Sequence, residues 1–182
     1  MTGAGAKTSS STTTERRGVL AAGMRLRNYE VVSVLGQGAF GVTYLARDTT
    51  LGRELAIKEY LPSSIAVREN GTTVLPRSTD VAEEFVWGRG RFVEEARILA
   101  TLEDATAIVR VYDFLEENGT AYMVMALARG ETLAQRLQAR GVLEFREVQR
   151  LLTPLLDGLE QVHSSGFLHR DIKPANIILK PD

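Results

Sequence analysis

Leu35-Gly36-Gln37-Gly38-Ala39-Phe40-Gly41-Val42-Thr43-Tyr44-Leu45 is the stretch on which the fold turns. Gly36, Gly38 and Gly41 form a G-x-G-x-x-G string. Alone, that string also opens dinucleotide-binding folds, where it runs straight into a helix. Here Gly41 is followed by Val, Thr, Tyr and Leu, which favour a strand. The glycines are therefore expected at a β-hairpin tip, between a strand over residues 29–35 and another over 42–47. Without Cβ atoms, such a backbone lets a phosphate approach closely, with N–H groups aimed at the anion. A plain flexible hairpin is the alternative.

Downstream, residues 53–59 read as a third strand. Leu55 and Ile57 share one face, while Ala56 and Lys58 share the other, which the glycine hairpin would cover. A lone strand lysine is usually a solvated side chain. A small residue beside a cation, however, suits a flat ring lying next to a phosphate chain. Residues 60–90 form a long connection, with Asn70-Gly71 marking a small hairpin inside it. A helix is predicted over 91–102, with Phe92, Ala96, Leu99 and Leu102 on one face. Glu95 borders that face and is placed to reach Lys58, with Glu94 as its rival. Strands over 108–115 and 120–127 are joined by Glu116-Glu117-Asn118-Gly119.

A short helix is expected over 132–139, stopped at Gly141. Phe145, Val148, Leu152, Leu155, Leu159 and Val162 then recur at helical spacing, predicting a long amphipathic helix kinked at Pro154. A polar loop follows, then an apolar segment over 177–179, expected to lack a hairpin partner. Strands with one helix, followed by helices, imply an α+β chain: a small antiparallel sheet lobe joined near residues 126–130 to a helical one.

Composition sets the outer bounds. The 182 residues carry 22 Lys+Arg against 23 Asp+Glu, a net charge of -1 that supplies no basic surface for nucleic acid. There are no cysteines, so disulfides and thiolate metal sites are excluded. His163 and His169 are too few for a histidine-based zinc site. No apolar run approaches the roughly 20 residues of a bilayer span. Residues 1–23 read as a disordered, Ser/Thr-rich tail, with a transit peptide as the weaker alternative. A cytoplasmic chain is the default expectation.

His169-Arg170-Asp171-Ile172-Lys173-Pro174-Ala175-Asn176 is the most specific string. An aspartate able to accept a hydroxyl proton, a lysine two residues on and an amide five residues on can all face one phosphoryl group. Together with LGQGAFG, LAIKEY, FVEEARIL and YMVM, in that order, this string resembles the protein kinase family. The lysine within HRDIKPAN resembles the serine/threonine branch. The long connection containing EYLPSS and VLPRS resembles a group of bacterial kinases.

The resemblance implies a kinase-like fold with an N-terminal lobe over 24–125, a hinge over 126–130 and part of a helical lobe over 131–182. It implies ATP and Mg²⁺ as cofactors and a protein serine or threonine as acceptor. By the same resemblance, Gly36, Gly38 and Gly41 cover the ATP phosphates, and Lys58 holds them while braced by Glu95. Leu35, Thr43 and Ala56 line the adenine pocket, Met125 is the gatekeeper, and the backbones of Ala126 and Ala128 bond adenine. Asp171 is the catalytic base, Lys173 supports the γ-phosphate, Asn176 binds magnesium, and Arg170 meets a phosphorylated activation loop. Three positions depart from the family pattern: Thr43 replaces a valine, Ala126 a hinge acid, and residues 103–107 a His-Pro-Asn turn. No Asp-Phe-Gly or activation segment occurs in the sequence. The expectation is therefore that these residues alone turn over weakly or not at all. A nucleotide-binding pseudokinase scaffold and a non-functional truncated frame are the alternatives. Oligomeric state is not read from the sequence.

Overall fold

A computed structural model describes residues 18–102, 105, 107–169 and 171–180. The expected tail over 1–17, Arg170 and most of the 103–107 departure lie outside the described residues. The elements run β1 (Arg25–Leu26), β2 (Tyr29–Gly38), β3 (Gly41–Asp48), β4 (Glu54–Tyr60), β5 (Ala66–Glu69), β6 (Thr73–Pro76), α1 (Ala82–Ala100), β7 (Val111–Glu117), β8 (Thr120–Met125), β9 (Glu131–Thr132), α2 (Leu133–Arg140), α3 (Phe145–Ser164) and β10 (Ile178–Leu179).

Six strands form one antiparallel sheet in the order β1-β2-β3-β4-β8-β7. The Gly36 stretch turns back as a hairpin, with Gly38 paired to Gly41, and continues as a strand, so the dinucleotide alternative falls. β7 and β8 are joined by Asn118 and Gly119, both at positive φ (54° and 76°), which matches the right-handed strand twist. Both sheet faces are covered. On one lie Tyr44, Leu55, Ile57, Tyr122 and Val124, packed under Leu20, Leu26, Ala66 and Val74. On the other, Ala121 and Met123 meet Phe92, Val93 and Ala96 of α1.

Order begins before Met24: Leu20 is only 2% exposed and belongs to the core. The 66–69/73–76 hairpin forms where Asn70-Gly71 placed it, with both residues at positive φ. Helix α1 starts at Ala82 rather than Arg91. Gly88 and Gly90 lower helix propensity in this stretch, but packing outweighs it. Phe85 is buried and stacks 5.5 Å from Tyr60. A Cβ on Gly88 would collide with the Tyr60 hydroxyl, so glycine is what lets the helix approach there.

The helical part also follows the predicted pattern. Helix α2 carries a reciprocal cap between Thr132 and Gln135 and ends at Gly141 with φ 77°. Helix α3 runs through Pro154 and seats Gly158 against Ala107 and Ile108. The segment over 177–179 does find a partner: Ile178 pairs with Thr132 and Leu179 with Glu131. The partner is β9, far back along the chain, a contact that local sequence does not announce.

Candidate active site

The sheet register assembles the first half of the site. Gly36 lies opposite Thr43, Thr43 opposite Lys58, and Lys58 opposite Met123. One row further along, Leu45, Ala56 and Met125 align. Directly paired residues point to the same face. Thr43, Ala56, Lys58 and Met125 therefore share one surface beside α1. Leu35, at 51% exposure, stands at its edge.

The three motif glycines have different reasons to be glycine. A Cβ on Gly41 would strike the Glu59 carbonyl, so Gly41 is required for β3 to approach β4. Around Gly36 and Gly38 there is open space, and neither has positive φ. Those two leave bare backbone where a ligand can approach. The hairpin tip is held from outside: Leu61 N–H donates to the Phe40 carbonyl (3.1 Å) and Ser63 N–H to the Ala39 carbonyl (3.0 Å). The sequence reading missed this tether, because nothing in Leu61-Pro62-Ser63 announces a partner in the glycine stretch.

Lys58 and Glu95 share the α1 side of the sheet, but they do not form an ion pair within 4.0 Å. The Lys58 ammonium instead lies 5.7 Å from the centroid of the Phe92 ring, one turn before Glu95. Glu94 is exposed and bonds Arg91 at 2.5 Å, while Glu95 is half-buried.

The connection between the two parts is built by backbone. Ala126 N–H donates to the Arg110 carbonyl at 2.8 Å, so what Ala126 can offer a ligand is its own carbonyl. Ala128 is half-buried beside it. Gly130, at φ 146°, passes so close to Leu179 that a Cβ would collide with the Leu179 carbonyl. Leu133 N–H bonds the Ile177 carbonyl at 2.8 Å. These contacts, with the β9–β10 pair, fix the Asp171 loop to the chain leaving the hinge.

Within that loop, Asp171, Lys173 and Asn176 converge. Lys173 Nζ lies 2.9 Å from Asp171 Oδ1, and Asn176 Nδ2 donates to Asp171 Oδ2 at 2.8 Å and to the Asp171 carbonyl at 2.9 Å. Lys173, and after it Asn176, hold the Asp171 carboxyl below its ordinary value of 3.8. Asp171 is about half exposed, so an incoming hydroxyl can reach it. Because Asn176 spends its NH₂ on Asp171, its carbonyl oxygen is left to face a cation. Among the described residues, no group of three or more His, Asp or Glu side chains could hold a metal. The Asn176 amide oxygen beside the Asp171 carboxylate fits a magnesium ion that takes its other ligands from phosphate oxygens and water. Bare backbone at Gly36 and Gly38, with a lysine on the same face, fits a polyphosphate.

Comparison with known proteins gives a consistent result. The family model described as "Protein kinase domain" matches residues 29–182. The serine/threonine-protein kinase PknA of Nostoc sp. is 36% identical over 155 residues, covering 84% of this chain and 25% of that protein. The serine/threonine-protein kinase PrkC of Bacillus subtilis is 32% identical, covering 83% of this chain and 20% of that protein. Among solved structures, PpkA-294 in its apo form superposes with a TM-score of 0.80 at 37% identity, covering 90% of this chain and 58% of that chain. The Mycobacterium tuberculosis PknI kinase domain gives a TM-score of 0.68 at 29% identity, covering 89% of this chain and 59% of that chain. The chain thus spans about a quarter or less of the length of these two relatives and under two thirds of the two solved chains. No helix among the described residues is long and apolar enough to cross a membrane.

Proposed function

The chain belongs to the protein kinase family, and from that premise we propose that it carries the nucleotide lobe and catalytic loop of a serine/threonine kinase acting on proteins with ATP. The observation that carries the reading is the Asp171–Lys173–Asn176 triad on a loop tied to the hinge strand. The sheet face bearing Thr43, Ala56 and Lys58 supports it.

In this reading Leu35, Thr43, Ala56 and Met125 enclose adenine, with the Ala126 carbonyl and Ala128 backbone as its polar partners. Gly36 and Gly38 lie over the phosphates, Gly41 seats the loop, and Lys58 neutralises phosphate charge. Magnesium, when bound, compensates charge on the β- and γ-phosphates; Asn176 is its ligand from the described residues. The bond from the γ-phosphorus to the bridging oxygen breaks, one to the serine or threonine oxygen forms, ADP leaves, and the hydroxyl proton passes to Asp171.

A carboxylate held below 3.8 is a weak base. Asp171 therefore orients the hydroxyl first and takes its proton late, as a loose phosphoryl-transfer transition state requires. Lys173 holds that carboxylate and reaches the transferred group. For turnover, α1 must bring Glu95 to Lys58 in place of the present Phe92 contact. In the full-length protein, Lys58→Met and Asp171→Asn are each expected to abolish ³²P transfer from ATP to a generic protein substrate; normal activity in either removes that residue's role.

A further inference from the structure

Glu59 follows Lys58 in β4 and points to the opposite face of the sheet, where its side chain is fully buried. A buried carboxylate one residue from a phosphate-binding lysine is unexpected, and every group around it comes from a different segment. Arg68 of the β5–β6 hairpin, with its side chain 1% exposed, donates to Glu59 Oε2 and to the Thr72 carbonyl. The same guanidinium donates from Nε to the Gly18 carbonyl at 3.2 Å. Tyr44 of β3 donates its hydroxyl proton to Glu59 Oε2 at 2.8 Å and accepts the Leu20 N–H at 3.1 Å. Among the described residues, Glu59 Oε1 has no hydrogen-bond partner.

A buried ion pair adds little net stability, while losing one partner leaves a stranded charge. What such a pair supplies is a fixed geometry. Here it joins the 18–20 segment, the β5–β6 hairpin, β3 and β4 directly behind Lys58. Residues 18–28 lie outside the stretch matched by the kinase family model, which begins at 29.

We infer that Gly18–Leu20 is a strap, closed by Arg68 and Tyr44 on Glu59, that positions Lys58 through the backbone of β4. Glu59 and Arg68 are positioning residues; neither touches the nucleotide face. The inference rests on the kinase reading for its kinetic consequence only. Its structural half, that the strap holds β4, stands apart from any activity.

The test uses the full-length protein in intact form, lacking residues 1–17, lacking 1–23, with Arg68→Met, and with the last two changes combined. ATP KM, kcat and amide exchange over residues 54–60 are measured for each. Loss of 1–17 leaves all three unchanged. Loss of 1–23 raises the ATP KM about fivefold or more and speeds exchange in β4. Arg68→Met does the same, and the combination is no worse than either alone, because both open one cluster. Tyr44→Phe, which keeps the ion pair, raises the KM about twofold and covers the case in which Arg68→Met fails to fold. A lower melting temperature with unchanged KM and β4 exchange after loss of 1–23 would overturn the inference. So would effects that multiply in the combined variant, or a silent Tyr44→Phe. If every form, including the intact one, lacks kinase activity, the kinase reading fails and β4 exchange alone decides the strap.

Discussion

The two parts of the molecule differ sharply in how much of themselves they bury. In the sheet lobe, Leu26, Tyr44, Ala46, Leu55, Ile57, Leu115, Ala121, Tyr122 and Val124 are at 0% exposure. In the helical part, α2 buries nothing and α3 only Gly158 and Val162. Phe145 and Leu152 of the predicted amphipathic stripe, and Leu156 beside it, stand at 76%, 45% and 59% exposure. The sheet lobe is a packed object. Among the described residues, it packs around its own core, while the Asp171 loop is held mainly by backbone hydrogen bonds to β9 and the start of α2.

The largest effect that sharpens this contrast is on stability. Ile57→Ala removes a fully buried side chain and is expected to cost about 2–5 kcal/mol in denaturant unfolding. In the 182-residue chain itself, Leu156→Ala, on the exposed flank of α3, is expected to cost no more than about 0.5 kcal/mol. Equal losses would show that the two parts share one core in solution.

Much of this division was legible in the sequence. The hairpin at Gly36–Gly41, the strand bearing Lys58, the Asn118-Gly119 turn and the 145–162 periodicity are all local patterns, and each forms within a few residues of its predicted place. The Asp171, Lys173 and Asn176 cluster was legible for the same reason, since one short loop carries it. Contacts between distant segments were not. Helix α1 begins early because Tyr60 and Phe85 pack across Gly88, and local propensity does not report distant packing. The Glu59–Arg68 pair has no local signal, because it forms only where the β5–β6 hairpin lies back over β4. The Lys58–Phe92 contact depends on where α1 rests, which stripe periodicity does not specify.

A smaller effect probes the boundary between the packed lobe and its glycine hairpin. Ser63→Pro removes the N–H that bonds the Ala39 carbonyl and frees one side of that hairpin. The ATP KM in the full-length protein is expected to rise about threefold with kcat little changed. An unchanged KM would mean that the tether does not govern the loop.

The smallest effect concerns the loop's charge balance. Asp171 has a depressed folded pKa, so its ionised form persists as pH falls through 3.8, and the linked stability is lost only below that value. At about half exposure the stability contribution is small, and the useful readout is the acid limb of kcat/KM. Lys173→Met is expected to move that limb upward in pH; a limb that stays in place would remove Lys173 as the group holding the carboxylate.

The most direct test of convergence is chemical. An ATP derivative with an acyl group on its γ-phosphate acylates lysines lying against the phosphate chain, and mass spectrometry identifies them. The account predicts that in the full-length protein Lys58 and Lys173 are both labelled and that excess ATP protects both. Labelling of neither, or of Lys58 with Lys173 untouched, would contradict a single nucleotide shared by the sheet face and the Asp171 loop.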